Sequence, residues 1–464
     1  MSSNNHEDFV SNETGLIKAR WEKSFDKVLT PFEEFVKRET TGGLILMATA
    51  LVALILANTA LASHYQHLLH VPISFSFGSW ELEKTLHHWI NDGLMTLFFF
   101  VVGLELKREI LVGELSDVRA AALPMIAAVG GMLVPALLFY MINPTGDEVR
   151  GWGIPMATDI AFALGVIALL ASRVPKGLIT FLVALAIVDD LGAVVVIALF
   201  YTEHLAMDFL IIGGILTGLL VVMNLAGLRR PSIYFIVGLL LWLALLKSGV
   251  HATLAGVITA FTIPTLPRFE PTAFSQRMRQ MLDRFDASHK PGECILRNQQ
   301  MSATVQTLET GLHGVQTPLQ RLEHEMHMPV AFVVLPIFAL ANAGVAIDFG
   351  DLGTAFSHPV TLGIMVGLVI GKFIGIAGTC LLAVKMGVAS LPRGVGMSHI
   401  SGAAMLAGIG FTMSIFIAEL AYASHPEMIV QAKLGILGAS LLAGTIGYIW
   451  LYRLGSPAKQ ANPH

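Results

Sequence analysis

Apolar runs of about twenty residues recur along most of the chain, separated by short polar stretches. Windows of about 19 residues divide the pattern into about twelve spans. They lie near 42–62, 89–106, 121–142, 153–171, 177–200, 209–225, 232–247, 249–264, 330–347, 361–383, 399–420 and 431–451. Only Lys247-Ser248-Gly249 parts the seventh from the eighth, and those residues suit a turn better than a helix interior. One long stretch, 265–328, has no such run. There Met301, Val305, Leu308, Leu312, Val315, Leu319, Leu322 and Met326 recur at alternating four and three spacings, interrupted by Gly311, Gly314 and Pro318. That is an amphipathic helical pattern. It predicts a helical hairpin on one membrane face, with a partner-binding coiled coil as the alternative. The chain thus divides into a segment 1–41, spans one to eight over 42–264, the loop 265–328, spans nine to twelve over 329–451, and a tail 452–464.

Composition agrees. The chain is 54% hydrophobic and 13% charged, with mean hydropathy +0.69, the balance of a multi-pass membrane protein. The distribution of charge is more informative than its sum. Lys18, Arg20, Lys23, Lys37 and Arg38 precede the first span; Lys107, Arg108 and Arg119 follow the second; Arg173 and Lys176 follow the fourth. Arg229 and Arg230 follow the sixth, Lys385 and Arg393 the tenth, and Arg453 the last. The opposite loops carry Asp147, Glu148, Glu203, Asp208, Asp348, Asp351 and Glu427. The positive-inside rule then puts both termini and the 265–328 loop in the cytoplasm. No cleavable signal precedes the first span, which is expected to direct its own insertion. Cys294 and Cys380 form neither a disulfide framework nor a metal-ligand cluster. No cofactor motif, nucleophile–base set or nucleic-acid motif is present, so neither an enzyme nor a nucleic-acid binder is expected.

The chemistry lies inside the apolar spans. Asp189 and Asp190 sit side by side within the run from Gly177 to Phe200. A carboxylate at bilayer depth costs about 2.5–3.5 kcal/mol on insertion scales, and two together repel if both ionise. Neutral residues supply ordinary interhelical glue, so this pair points to holding and releasing a cation or protons. Spans three to five start inside and spans ten to twelve outside, which makes the two triplets candidates for an inverted repeat with broken middle members. Both middle spans are irregular: Ala157-Thr158-Asp159-Ile160-Ala161 puts polar residues in span four, and Gly408-Ile409-Gly410-Phe411-Thr412-Met413-Ser414 puts glycines and hydroxyls in span eleven. Half-helix ends at mid-membrane need compensating charge. Asp159 could serve there. Lys372, deep in span ten between Gly371 and Gly375, supplies the opposite sign. Adjacent helical residues point about 100° apart. One aspartate can therefore pair with Lys372 while the other faces an aqueous funnel. Cation and proton would compete for the same oxygens, which yields exchange if access alternates. Sodium or lithium fits better than a divalent ion, which needs more oxygen ligands.

These motifs resemble the NhaA sodium/proton antiporters. The resemblance is carried by Gly103-Leu104-Glu105-Leu106-Lys107-Arg108-Glu109, Ala157 to Gly165, Val188-Asp189-Asp190-Leu191-Gly192 and Lys247 to Thr253, then by Arg321-Leu322-Glu323-His324, Ala341-Asn342-Ala343-Gly344-Val345, Gly371-Lys372 and Gly408 to Ser414. It implies an all-α integral membrane fold of about twelve transmembrane helices. Spans 3–5 and 10–12 would form an inverted repeat, with two broken, crossing helices in spans 4 and 11. It implies that Asp190 is the principal cation carboxylate, that Asp189 pairs with Lys372, and that Thr158 and Asp159 lie at the crossing. Exchange of cytoplasmic Na+ or Li+ for external H+ would be electrogenic, two protons entering per sodium ion expelled. Glu105, Arg108, Glu109, His251, Glu323, His324 and His327 would form or adjoin a pH-sensing region at the cytoplasmic funnel. Family members are bacterial inner-membrane proteins and commonly homodimers, joined through a β-hairpin after the first span. Here Val71-Pro72-Ile73-Ser74-Phe75-Ser76-Phe77 can read as that strand. Two departures touch the sensor: the 265–328 loop is longer than in the shortest members, and Met328-Pro329 follows His327 where the family often has Pro directly. Two other classes compete. A cation channel conflicts with the Lys372 charge, and a light-driven pump conflicts with the number of spans.

Overall fold

The computed structural model describes residues 9–11, 17–19, 31–77, 80–171, 173–202, 205–267, 271–288, 298–347, 350 and 352–455. Two short antiparallel strands, β1 (Phe9–Ser11) and β2 (Ile17–Ala19), come first. Helices α1 (Pro31–Ala57) and α2 (Ala62–Leu69) lead to a hairpin of β3 (Pro72–Phe77) and β4 (Trp80–Thr85), paired from Pro72↔Thr85 to Phe77↔Trp80. The expected strand is therefore present. Of the loop charges named above, Arg20, Lys23, Glu203, Asp348 and Asp351 lie outside the described residues, as does Cys294.

The rest of the described chain is helical. In order come α3 (Leu86–Trp89), a π-helical turn Ile90–Leu94, and α4 (Met95–Val112). Then follow α5 (Val118–Ile142), a tight 3-10 segment Asp147–Met156, α6 (Ile160–Ala168), α7 (Lys176–Phe200), α8 (Met207–Leu225), α9 (Pro231–Ser248) and α10 (Leu254–Thr262). Among all the described residues nine helices are long and apolar enough to cross a membrane, or ten when a bent pair counts as one. Two expected spans fall short of that test for separable reasons. The one through α4 carries Glu105, Lys107, Arg108 and Glu109, and α10 is only nine residues long.

In the 265–328 loop α11 (Pro271–Ser288) packs on α12 (Gln299–Val315), and the amphipathic positions fall in α12 (Met301 to Val315) and in the helix after it (Leu319 to Met326). Phe274, Met278, Met281 and Phe285 of α11 are half-buried, and Met301 of α12 is buried. A further helix, α13 (Pro318–Pro329), is N-capped by Thr317, whose hydroxyl accepts from Gln320 N at 3.1 Å. It runs on through a π-helical turn, Val330–Val334, into α14 (Leu335–Asn342). The membrane-spanning helix expected near 330 therefore starts at Pro318, and its first turns carry Glu323, His324 and His327. After α15 (Leu352–Ser357) and α16 (Pro359–Val366), two π-helical turns, Gly367–Gly371 and Ile374–Gly378, lead into α17 (Thr379–Lys385). The chain continues as α18 (Met397–Leu406), α19 (Phe411–Ala421) and α20 (Pro426–Arg453).

Helices in lipid gain little from apolar burial against one another, so close packing must hold them. A Cβ on Gly371 would stand 2.8 Å from Pro135 Cα, and one on Gly375 would collide with the Gly130 carbonyl of α5. Two glycines thus let the Lys372 helix approach α5 backbone to backbone. Phe416 of α19 lies 5.9 Å from Phe99 of α4 and 6.2 Å from Phe338 of α14, centroid to centroid. That spacing suits tilted aromatic pairs.

Candidate functional site

Two helical segments break near one another. The first break is Ala157–Asp159, between the 3-10 segment and α6. Gly151, Gly153 and Pro155 precede it, and glycine and proline weaken a helix on its approach. Asp159 then starts α6 as its N-cap, with extended backbone (φ −83°, ψ 100°), and its Oδ1 accepts from Phe162 N at 2.9 Å. Aspartate is favoured there because its oxygen takes an amide that the helix leaves free. The second break, 407–410, separates α18 from α19, which meet at 49°.

The breaks are stitched together. Asp159 N donates to Ile409 O at 2.7 Å. Asp159 Oδ2 accepts from Thr412 N at 2.9 Å and from the Thr412 hydroxyl at 2.5 Å. Ser414 Oγ donates to Ile154 O at 2.8 Å, and Thr158 Oγ1 lies 2.9 Å from Ala407 O. The Ser414 and Thr158 hydroxyls thus meet carbonyls that the interrupted helices leave free. One carboxylate serves the N-termini of both α6 and α19, where negative charge is stabilised.

Asp189 and Asp190 stand mid-way along α7, and Lys372 stands between the two π-helical turns. Turns of that kind often mark functional sites. Lys372 Nζ donates to Asp189 Oδ2 and, at 2.9 Å, to Thr158 Oγ1. Thr158 Oγ1 is also 2.7 Å from Asp189 Oδ2. Its single proton can serve either Asp189 or Ala407. Thr158, Asp159, Asp189, Asp190 and Lys372 are each at most 1% exposed. Asp190 differs from the others. Neither of its oxygens, nor Asp189 Oδ1, has a hydrogen-bond partner among the described residues. A buried carboxylate in that state is costly unless it is protonated or coordinates a cation. The sequence-expected five therefore come together: a neutralised pair, the Thr158 hydroxyl that bridges it, a helix-end carboxylate, and an acid with its oxygens free for a cation or proton.

A second cluster ties α4 to α13. Arg108 Nε donates to Glu323 Oε1 at 2.8 Å, a second Arg108 nitrogen lies 2.8 Å from Glu109 Oε1, and His327 Nε2 lies 4.0 Å from Glu105 Oε1. His324 is exposed on the same helix and enters none of these bonds. His251 stands apart, which corrects the expectation of a single cytoplasmic cluster. Its Nε2 lies 2.9 Å from the carbonyl of Tyr201, at the C-terminal end of α7. His251 precedes α10, whereas Phe261 O and Ile263 O at the far end of α10 accept from Lys107 Nζ of α4, each at 2.6 Å. Nine helical residues put about 14 Å between those ends. The span order agrees with this place: with both termini in the cytoplasm the turn between spans seven and eight lies outside, so His251 starts span eight at its outer end.

Lys107, Ser440 and the pair Glu419–Lys433 make ties between helices that the sequence reading did not expect. Lys107 caps the end of α10, as above. Ser440 Oγ accepts from Phe411 N at 3.2 Å, and Lys433 Nζ lies 2.6 Å from Glu419 Oε1, both side chains largely buried. A lone serine in an apolar helix carries no signal of its own.

Comparison with known proteins agrees with this geometry. The family model for Na+/H+ antiporter 1 matches residues 33–451. A Na(+)/H(+) antiporter NhaA 1 of Saccharophagus degradans is 63% identical over 455 residues, covering 98% of this chain and 98% of that protein. A Na(+)/H(+) antiporter NhaA of Sulfurimonas denitrificans is 50% identical over 446 residues, covering 96% and 100%. One of Dichelobacter nodosus is 45% identical over 439 residues, covering 95% of each chain. With broken helices joined at a buried carboxylate, a lysine-neutralised aspartate and relatives of this identity along nearly its whole length, the chain belongs to the Na+/H+ antiporter 1 family.

Proposed function

We propose that this membrane protein exchanges cytoplasmic Na+ or Li+ for external H+, with Asp190 as the carboxylate that takes one or the other. The observation that carries the reading is the pair of unpartnered, buried oxygens on Asp190 beside an Asp189 already bound to Lys372 and Thr158. A protonated Asp190 is neutral and tolerates burial. When the proton leaves, the charge must be met, and a small alkali cation between Asp190 and Asp189 Oδ1 meets it. Loading one species expels the other, so no separate coupling device is needed. Exchange is electrogenic, as in the family, because more protons than sodium ions are carried.

In this reading twelve spans cross the bilayer with both termini in the cytoplasm. Spans 3–5 and 10–12 form the inverted repeat, and spans 4 and 11 are its broken, crossing members. The chain keeps the five segments read from the sequence and works as a homodimer in the bacterial inner membrane. Glu105, Arg108, Glu109, Glu323, His324 and His327 serve as the pH-responsive region on the cytoplasmic side, and His251, at the opposite end of α10, is not part of it. The protein needs no cofactor, and no enzymatic activity is proposed.

The test uses everted vesicles that have built an acid interior, with a dye reporting it. NaCl or LiCl should discharge the gradient for the wild type and leave it intact for Asp190→Asn. Equal discharge by both would remove Asp190 from the mechanism.

A further inference from the structure

We infer that Ser440 of α20 is a positioning residue for cation binding, the hydroxyl that frees Asp159 to hold the two broken helices in register. The inference rests on the exchange reading above and adds to it a residue that touches neither cation nor proton.

A helix leaves its first amides without internal partners. At the start of α19 these amides are shared out. Thr412 N goes to Asp159 Oδ2 and Phe411 N goes to Ser440 Oγ, while Ser414 N makes the first internal bond, to Gly410 O at 2.7 Å. Asp159 has two oxygens and three donors already upon them: Phe162 N on one, Thr412 N and hydroxyl on the other. Were Ser440 absent, Phe411 N would be a buried, unmatched donor next to that carboxylate. Leaving such a donor unpaired is expensive. The nearest remedy is for Asp159 to rotate toward it, which loosens the cap on α6 or the bond to Thr412. Thr158 adjoins Asp159, and its hydroxyl links Lys372, Asp189 and the Ala407 carbonyl. The disturbance thus reaches the cation site without any change to its carboxylates.

The placement of Ser440 is itself fixed. One face of α20 meets α19 twice. Lys433 reaches Glu419 in the last turn of α19, and Ser440 reaches Phe411 at its first residue. Seven residues of α20 rise about 10.5 Å and eight of α19 about 12 Å, so the two antiparallel segments match in length. Lys433 also suits its place, since a cation is favoured at a helix C-terminus. Ser440 is 5% exposed, so water does not readily replace its hydroxyl.

The full-length protein, purified in detergent for binding and reconstituted for transport, tests this with Ser440→Ala, Ser440→Thr and the double variant Glu419→Leu/Lys433→Leu. Ser440→Ala should raise the apparent KM for Na+ and the calorimetric Kd for Li+ by about tenfold, the scale of one stranded buried donor, while kcat stays within about twofold. Ser440→Thr, which keeps the hydroxyl, should restore both. The double variant removes the far tie only and should keep the wild-type KM. A fall in kcat or thermal midpoint with KM and Kd unchanged would overturn the inference, as would failure of threonine to restore binding or an equal KM rise in the double variant. A wild type that does not exchange Na+ for H+ under the same conditions would instead refute the exchange reading on which this rests.

Discussion

At the scale of single residues, the site divides two adjacent aspartates between different tasks. Their backbones are successive residues of one helix, yet Asp189 faces Lys372 and Thr158 while Asp190 has neither partner. The 100° step of the α-helix suffices to separate them. Lys372 and Asp189 are each about fully buried, so their stability effects must be read as a pair. Removing one partner of a buried ion pair strands a charge and destabilises by about 3–5 kcal/mol, whereas replacing both is tolerated. Lys372→Met is therefore expected to lower the thermal midpoint of the purified protein strongly. Adding Asp189→Asn should recover most of that loss. If the double variant is no more stable than Lys372→Met alone, charge pairing is not what holds Lys372 in place.

At the scale of elements, both breaks were legible because they violate the pattern around them. Thr158-Asp159 interrupts an apolar run, and Gly408 to Ser414 combines weak helix formers with hydroxyls. The partners of those breaks were not legible. Ser440 is one hydroxyl in a helix otherwise unremarkable, and the carbonyls of Ile154, Ala407 and Ile409 belong to the backbone, on which sequence is silent. Glu419 and Lys433 obey the same rule as the aspartates, an ionisable residue in an apolar helix, but charges near span ends are ordinary and conceal the pairing. His251 shows a different lesson: the alternation of spans already puts it at the outer end of span eight, and that order outweighs a resemblance that groups it with the cytoplasmic residues. The docking of α2, like the partners of the breaks, was not legible, because it depends on Tyr65 meeting a helix far away in sequence. Its hydroxyl donates to Leu340 O at 2.6 Å, at the end of α14, and the ring is 8% exposed. Burial pushes the Tyr65 phenol from 10.0 up to about 12. A raised value means that the fold favours the protonated form. The contribution is then whole below pH 10 and is lost as pH rises toward 12. Tyr65→Phe should destabilise the protein by about 1 kcal/mol near pH 8, seen as a lower thermal midpoint. That gap should narrow between pH 10 and 12. A gap of constant size across that range would mean that the phenol proton is not involved.

At the scale of the whole molecule, every residue proposed for the exchange comes from one chain, while the feature proposed for assembly lies apart from it. β3 and β4 form a two-stranded sheet with both outer edges unpaired by any strand among the described residues. Such a ribbon is marginal alone, and an open edge invites a further strand. Pairing with a second copy about a two-fold axis would supply it and close the assembly. The hairpin can be removed with little disturbance, because its stem is already closed: Leu86 N donates to Val71 O at 3.0 Å. Replacing 72–85 by a short glycine-rich turn should therefore leave α2 and α3 in place. In native mass spectrometry from detergent the wild type is expected to run as a dimer and the shortened protein as a monomer. After reconstitution it should keep Na+-driven exchange per protomer within about twofold, because Thr158, Asp159, Asp189, Asp190 and Lys372 are joined within one chain. A shortened protein that remains dimeric would place the interface elsewhere. A monomer that has lost exchange, with its thermal midpoint intact, would show that the second copy supports the alternation of access and not assembly alone.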